Sequence, residues 1–560
     1  MRKFLTILAS LSVLSAVQGL ACTNIIVTRG ASADGSCMIS YAADSHVLYG
    51  ELYFHPGGTF KPGTVLQITD WDSYRPMGSI PQVGRTFQTV GNQNEHQLII
   101  AETTWGGRDE QVDPTGIMDY GSLIYVTLQR ARTARQAIDT IVDLANTYGY
   151  ASGGESFSIA DTQEAWIMEL AGKGASEKGI VWVARRIPDG SICAHANQAR
   201  ITRFPMDDPQ NCLYAPDVVS FAREKGWFSG QDDEFSFRDA YNPLDFGGAR
   251  ACDARAWSAF NILCEGKFNY EENGREVSRP ASDWLDYAMG YDLGGEMPFF
   301  VRPEKKISVK NVADAMRDHY EGTPMDMTTD IGAGGNACPY RWRPMGFDWN
   351  GKHYVNERAI ATQQTGFWFV AQARGWLPDV VGALQWFGCD DAATSYLTPV
   401  YACTSKVPEC LRVGNGDMLH YSATSQFWMC NRVTNACYKF YNAMAPFVRQ
   451  AVDEFENFQM GTAVPQMDAA ALAMKPAKAR KALTKYTVDT AMKQFAAWCT
   501  LEETLLVKFI DGNIKAQDTE GNFLHSEYNA GTPAGMTQPG YTDKWKEAVA
   551  SDNGPVLESR

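Results

Sequence analysis

The chain has 560 residues, enough to bury a substantial core, and its 45% hydrophobic and 12% aromatic content excludes a disordered protein. A net charge of -15 excludes a nucleic-acid partner, because the basic footprint that phosphate binding needs is missing. Acidity otherwise speaks only for solubility.

The first element is a segment to be removed. Arg2 and Lys3 precede an apolar run from Phe4 to Val17, and Gln18-Gly19-Leu20-Ala21 has small residues at the first and third positions before Cys22, the pattern of a secretory signal. The run is too short for a membrane anchor, and no later stretch reaches the roughly 18 apolar residues of a span. Cleavage would make Cys22 the mature amino terminus, and a residue owning both a thiol and a free amine is a self-contained catalyst. Leu20-Ala21-Cys22 also resembles a bacterial lipoprotein signal, in which the sulfur is lipidated; Gly19 stands where that signal usually has an aliphatic residue. The expected location is thus outside the cytoplasm, periplasmic or extracellular, with a lipid-anchored surface protein as the alternative.

Cys22 to Thr28 and Ser36 to Tyr41 are β-branched or apolar runs around turn chemistry at Gly30 and Asp34-Gly35, which predicts a hairpin. If the reversal centres near Ala33, the chain returns beside Cys22 at about Asp44, with paired side chains about 5 Å apart. The alternative for Asp44 is a strand terminator or turn cap. Gln97 to Glu102 predicts a strand, followed by the polar tip Thr103-Thr104-Trp105-Gly106-Gly107. Leu128, Ala131, Ala134, Ile138, Ile141, Val142 and Ala145 repeat at three and four, so the stretch 121–146 contains an amphipathic helix. Ser156 to Ala160 and Ala165 to Leu170 flank the turn Asp161 to Glu164 as a second hairpin, and Gly179 to Ile187 adds a strand. Strands, a helix, then strands suit a layered α+β domain better than βαβ alternation.

Cys193 and His195 share a face of a predicted strand, but a local pair lacks the third, orienting group of a papain-like site, and a structural role is expected for both. Cys37 is read as strand packing or a disulfide partner. In the aromatic-rich middle, Ile331 to Gly335 is not a phosphate loop, since no Lys-Ser or Lys-Thr follows its glycines. Beyond Ala445, Phe447, Val448, Ala451, Val452 and Phe455 form one helical face, and Val488, Ala491, Met492, Phe495, Trp498 and Leu505 another. The segment 469–485 between them reads as an exposed helix or linker, and the last thirty residues as irregular.

Thirteen cysteines in an exported chain leave room for disulfides, with Cys403 to Cys410 and Cys430 to Cys437 spaced for local bridges. No Cys-x-x-Cys or His-x-x-x-His spacing implies a metal, and no cofactor is expected. Asp511-Gly512-Asn513 and Asp232-Asp233-Glu234 read as turn and surface residues.

Several motifs together resemble the dipeptidase D family of cysteine peptidases. They are Cys22-Thr-Asn-Ile-Ile-Val27, Ala33-Asp-Gly-Ser36, Ala43-Asp-Ser45, Ala101-Glu-Thr-Thr104 with Gly106-Gly107, Asp119-Tyr-Gly-Ser-Leu-Ile124, Gly154-Glu-Ser-Phe-Ser-Ile-Ala-Asp161 and Trp166-Ile-Met-Glu169. Gln129-Arg-Ala-Arg-Thr-Ala-Arg135 belongs with them, and the likeness resumes over 366–408. The resemblance implies the N-terminal-nucleophile hydrolase fold, a four-layer αββα sandwich of antiparallel sheets shared with penicillin V acylase and bile salt hydrolase. That domain is expected over 22–445, and the helical periodicity beyond Ala445 makes 446–560 a helical extension and tail.

The same resemblance implies dipeptide hydrolysis by Cys22, with small peptides as substrate; the chain is compatible with a homo-oligomer. An α-amino group ordinarily titrates near 7.7 to 8.0, close enough to neutrality to accept a thiol proton. By resemblance, Asp44 holds that amine, Asn197 in Ala194-His-Ala-Asn-Gln198 donates to the oxyanion, and Thr103 and Thr104 line the substrate side, where they could supply a second donor. Arg255 in Ala254-Arg-Ala-Trp257 matches an acylase arginine loosely. Relatives carry an arginine three positions before the aspartate, where this chain has Tyr41; either another arginine replaces it or the amine alone suffices. Fold and nucleophile are shared by enzymes of different specificity, so an acylase of another small amide and an inactive lipid-anchored binding protein stand as alternatives.

Overall fold

The computed structural model describes residues 22–559, so the expected signal, residues 1–21, lies outside the described residues. The chain is mixed α and β, built on two large antiparallel sheets.

β1 (Thr23–Val27) and β2 (Cys37–Asp44) form the expected hairpin, with Thr23 opposite Ala42 and Val27 opposite Met38. Its turn is built by Asp34, whose carboxylate accepts from the Ser36 backbone at 3.0 Å and the Ser32 hydroxyl at 2.7 Å, while Gly35 takes a φ of 80°. β3 (Ile99–Gly106) runs on through the residues expected as a flexible tip, with a register shift between Thr104 and Gly106. The amphipathic stretch is two helices, α1 (Tyr120–Leu128) and α2 (Ala134–Tyr148). The break is set by Thr133, whose side chain accepts from the Gln136 backbone as an N-cap, and by Asp161, which takes the Ala134 N–H at 2.9 Å.

β4 (Gly154–Ala160) and β5 (Ala165–Gly172) make the second hairpin, followed by β6 (Ile180–Arg186) and β7 (Ile192–His195). α3 (Ala254–Leu263) follows a π-helical turn over Gly248–Asp253. β8 (Thr365–Ala373), β9 (Ala383–Cys389) and β10 (Thr398–Tyr401) complete the first sheet.

In the seven-stranded sheet the order is Phe300–Val301, β7, β1, β2, β8, β9, β10. The eight-stranded sheet runs Cys212–Tyr214, β6, β5, β4, β3, then three two-residue strands ending at Phe54–His55. β8 is buried along its whole length and alternates: Phe367 and Phe369 belong to the apolar cluster shared with the eight-stranded sheet, Trp368 and Val370 to the cluster shared with α3. A strand covered on both faces needs no polar side, which is why Phe367 to Val370 is an unbroken apolar run.

The later helices pack on this frame. α4 (Gln426–Lys439), α5 (Tyr441–Phe458) and α6 (Pro476–Lys508) bury Val433, Val448 and Trp498. Glu456 of α5 accepts from buried Arg317 at 2.6 Å, and Trp498 meets Tyr396 with ring centroids 4.7 Å apart. Most of the segment expected as helix or linker is helical, as Val464–Leu472 and the start of α6. The tail is less irregular than expected, since α7 (Asp543–Leu557) forms there with no residue buried.

All thirteen cysteines are free thiols. The expected local bridges are absent for geometric reasons: Cys430 and Cys437 lie two turns apart on α4, an axial rise of about 10 Å that a disulfide cannot span. Cys403 and Cys410 belong to different apolar clusters. No helix among the described residues is long and apolar enough to cross a membrane.

Candidate active site

Continuing the hairpin register by one residue puts Cys22 opposite Ala43 and beside Asp44. The sulfur is buried, 1% exposed, with the Tyr41 hydroxyl at 3.7 Å and Glu102 Oε1 at 3.6 Å, and the backbone of Asp44 hydrogen-bonds it. Burial pushes the thiol well above its usual range, and the nearby Glu102 and Asp44 carboxyls push the same way. Both effects keep this thiol protonated.

Asp44 is fully buried. Arg358 Nη2 donates to its Oδ2 at 2.6 Å and the Thr365 hydroxyl to its Oδ1 at 2.6 Å. Burial raises the carboxyl's pKa, and those two donors work against the rise. Arg358 is the cation that bonds Asp44 directly. It lies 314 residues along the chain, and no local pattern announces it.

Arg255 is equally buried and ties the site together. Its Nη1 donates to the Cys22 carbonyl at 2.6 Å and the Thr23 hydroxyl at 2.9 Å; its Nη2 donates to Asn197 Oδ1 at 2.9 Å. Asn197 sits just past β7 with a φ of 58°, a left-handed conformation that asparagine tolerates, and its Nδ2 donates to the Thr104 carbonyl at 2.6 Å. Cys22, Asp44, Asn197 and Arg255 are thus linked through Cys22 and Arg255.

The two threonines face otherwise. The Thr103 hydroxyl is 2.7 Å from His195 Nδ1, and the Thr104 hydroxyl donates to Glu155 at 3.0 Å, so what Thr104 offers Asn197 is its backbone carbonyl. His195 is held on its other nitrogen by Ser158 at 2.7 Å, and burial lowers its pKa to about 3, so the ring is neutral. Cys193 donates to the Phe299 carbonyl at 3.2 Å, so each of these two side chains has a partner other than its neighbour.

Glu102 is the residue that sequence reasoning passed over. Tyr41 donates a hydrogen bond to the same Oε1 that faces the Cys22 sulfur, and Glu102 is 1% exposed. The signal was present: Glu102 closes the apolar run Leu98-Ile-Ile-Ala101, where a carboxylate has no reason to be buried for packing alone.

Above the sulfur is a small chamber of about 10 Å³ lined by Cys22, Tyr41, Asp44, Trp71, Tyr120 and Phe367, room for about one water. Leu48 and Trp71 also line an outer cleft of about 680 Å³ whose wall carries Glu51, Asp72 and Asp417. Trp71 stacks on Tyr125 with centroids 4.5 Å apart, and its backbone N–H donates to Asp119 Oδ2 at 2.5 Å. Among the described residues no group of three or more His, Cys, Asp or Glu could hold a metal ion.

Comparison with known proteins bears on this geometry. The model of peptidase family C69 matches residues 21–454, from the residue before Cys22 into α5. A probable dipeptidase of Salmonella dublin is 27% identical over 72% of this chain and 85% of its own length. Dipeptidase A of Lactobacillus helveticus is 25% identical over 69% of this chain and 76% of its own. A dipeptidase of Bifidobacterium longum is 23% identical over 74% and 77%.

Proposed function

The chain belongs to peptidase family C69, and from that premise we propose that it is an exported cysteine dipeptidase of the N-terminal-nucleophile type, with Cys22 as nucleophile and its own α-amine as general base. The observation that carries the reading is the placement of a buried Cys22 sulfur within reach of the Asp44 backbone while Arg255 fixes the Cys22 carbonyl and Asn197 together.

Removal of residues 1–21 supplies what the buried thiol lacks. The freed amine accepts the thiol proton, and the thiolate attacks the carbonyl carbon of the scissile bond. Asn197 has a second amide hydrogen beyond the one given to Thr104, and that donor meets the developing oxyanion. The protonated amine then passes its proton to the leaving amino group, and water cleaves the acyl-enzyme by the reverse sequence. Asp44, fixed by Arg358 and Thr365, holds the amine in place; Thr104 orients Asn197 through its carbonyl, and Thr103 braces β3 against His195. The frame is the αββα sandwich of that superfamily, with the two antiparallel sheets as its middle layers.

Burial of the sulfur argues against a lipid on it, because a diacylglyceryl thioether has no room between Tyr41 and Glu102. Mass spectrometry of the mature protein tests this directly: an unmodified Cys22 terminus is expected, and a lipidated one removes the mechanism. A panel of dipeptides beside neutral acyl amides then reads the activity, with Cys22→Ala as control. Full dipeptide turnover by that variant would show the nucleophile to be another group.

A further inference from the structure

Two buried carboxyls stand next to the Cys22 sulfur, and their charge balance differs. Asp44 has Arg358. Glu102 has the Tyr41 hydroxyl on Oε1 and, behind it, Glu155, which takes the Thr104 and Tyr150 hydroxyls on its Oε2 at 3.0 and 3.4 Å. No other side chain donates to Glu102 Oε2 or Glu155 Oε1, the two carboxyls hydrogen-bond to each other, and among the described residues no arginine, lysine or histidine pairs with either. Burial raises both groups and Glu102 raises Glu155 further, so Glu155 is the carboxyl of the pair that holds a proton most firmly. A buried charge with no counter-ion is costly unless a ligand supplies one.

We infer that Glu102 is the anchor for the α-ammonium group of the substrate's amino-terminal residue, so that the site selects peptides with a free amino end. The inference rests on Cys22 being the nucleophile. In a dipeptide the ammonium nitrogen is only about 2.5 Å from the carbonyl carbon to be attacked. With that carbon about 3 to 3.5 Å from the sulfur, the ammonium falls within reach of a carboxylate oxygen lying 3.6 Å from the same sulfur. Cys22 and Tyr41 both line the chamber and both touch that oxygen.

The other cation within range is the amine of Cys22 itself, and its chemistry points away from Glu102. To act as a base at neutral pH that amine must be neutral, and an unpaired carboxylate against it would hold it protonated. The outer cleft agrees in sign: Glu51, Asp72 and Asp417 draw a cationic end inward, towards Leu48 and Trp71, which line the cleft and the chamber alike.

The test compares alanylalanine with propionylalanine, which differs only by lacking the ammonium group, in the mature wild-type protein and in Glu102→Gln. The wild type is expected to favour alanylalanine in kcat/KM by on the order of 100-fold or more, since a neutral substrate leaves Glu102 unpaired. In Glu102→Gln the ratio should collapse toward about one, with the loss falling far more on alanylalanine. The rate of Cys22 alkylation by iodoacetamide reports whether the nucleophile and the fold are intact. An equal loss on both substrates, with slowed alkylation, would mean that Glu102 serves Cys22 and would overturn the inference. So would a wild type that does not discriminate. If Glu102→Gln does not fold, Glu102→Asp keeps the charge and must keep the preference; its loss in the folded variant is equally fatal. Turnover that survives Cys22→Ala, by contrast, strikes the nucleophile reading and not the anchor alone.

Discussion

Asp44 and Glu102 approach Cys22 from different elements, Asp44 at the end of β2 and Glu102 in the middle of β3, and both are buried. Asp44 is met by a guanidinium and a hydroxyl on its two oxygens; Glu102 is met by a tyrosine and a second carboxyl. Equal burial therefore carries opposite meanings. A carboxylate whose charge is matched inside the fold is part of the framework, and one left unmatched beside a nucleophile is available to a ligand.

The comparison has weight only if Cys22 does the chemistry, and that is the largest effect to look for. Cys22→Ala should lower kcat for dipeptides by on the order of 10⁴-fold or more, read in steady-state assays on protein of unchanged circular dichroism. Next, Asp44→Asn removes the buried carboxylate charge that faces the Arg358 guanidinium and should cost roughly 3–5 kcal/mol in urea unfolding. A loss no larger than that of a surface substitution would mean that the pair is not structural. Arg255→Lys keeps the charge but not the fork that reaches the Cys22 carbonyl and Asn197 together; kcat should fall by about 10- to 100-fold with KM little changed.

His195, between the two sheets, gives a pH signature. Its pKa falls from 6.5 to about 3 in the fold, so below about 6.5 the unfolded chain binds a proton that the native state does not. Its contribution is full above that pH and is lost as pH falls toward about 3, by about 1.4 kcal/mol per unit. His195→Gln should flatten the stability profile between about pH 6 and pH 4 by that slope in chemical denaturation. The smallest effect sharpens the opening contrast most: Glu102→Gln should leave stability within about 0.5 kcal/mol of wild type or raise it, because it removes an unmatched charge. A penalty as large as that of Asp44→Asn would show Glu102 to be structural too.

Short-range features of the site could be read in the sequence. The β1–β2 hairpin follows from β-branched runs around Asp34-Gly35, and a two-residue period then brings Asp44 beside Cys22 whatever the rest of the chain does. The motif series likewise pointed to the peptidase family and to Asn197 and Arg255, which the fold joins by a hydrogen bond. The strand at Glu102 was legible as well, but not its partners. The helix break at Thr133 was hidden because an apolar period continues across it and only the cap chemistry interrupts the backbone.

By itself the sequence determined the processing boundary to be expected at Cys22, the local hairpin and the peptidase family, since each is written in neighbouring residues or in a pattern of them. Only the tertiary structure decided that Arg358 matches Asp44, that Tyr41 and Glu102 both meet the Cys22 sulfur, and that no cation among the described residues pairs with Glu102. Such pairings join residues up to 314 positions apart, and side chains that distant meet only when sheets and loops have packed. Charge balance in a buried site is a property of that packing, because burial removes the solvent that would otherwise make each carboxylate equivalent.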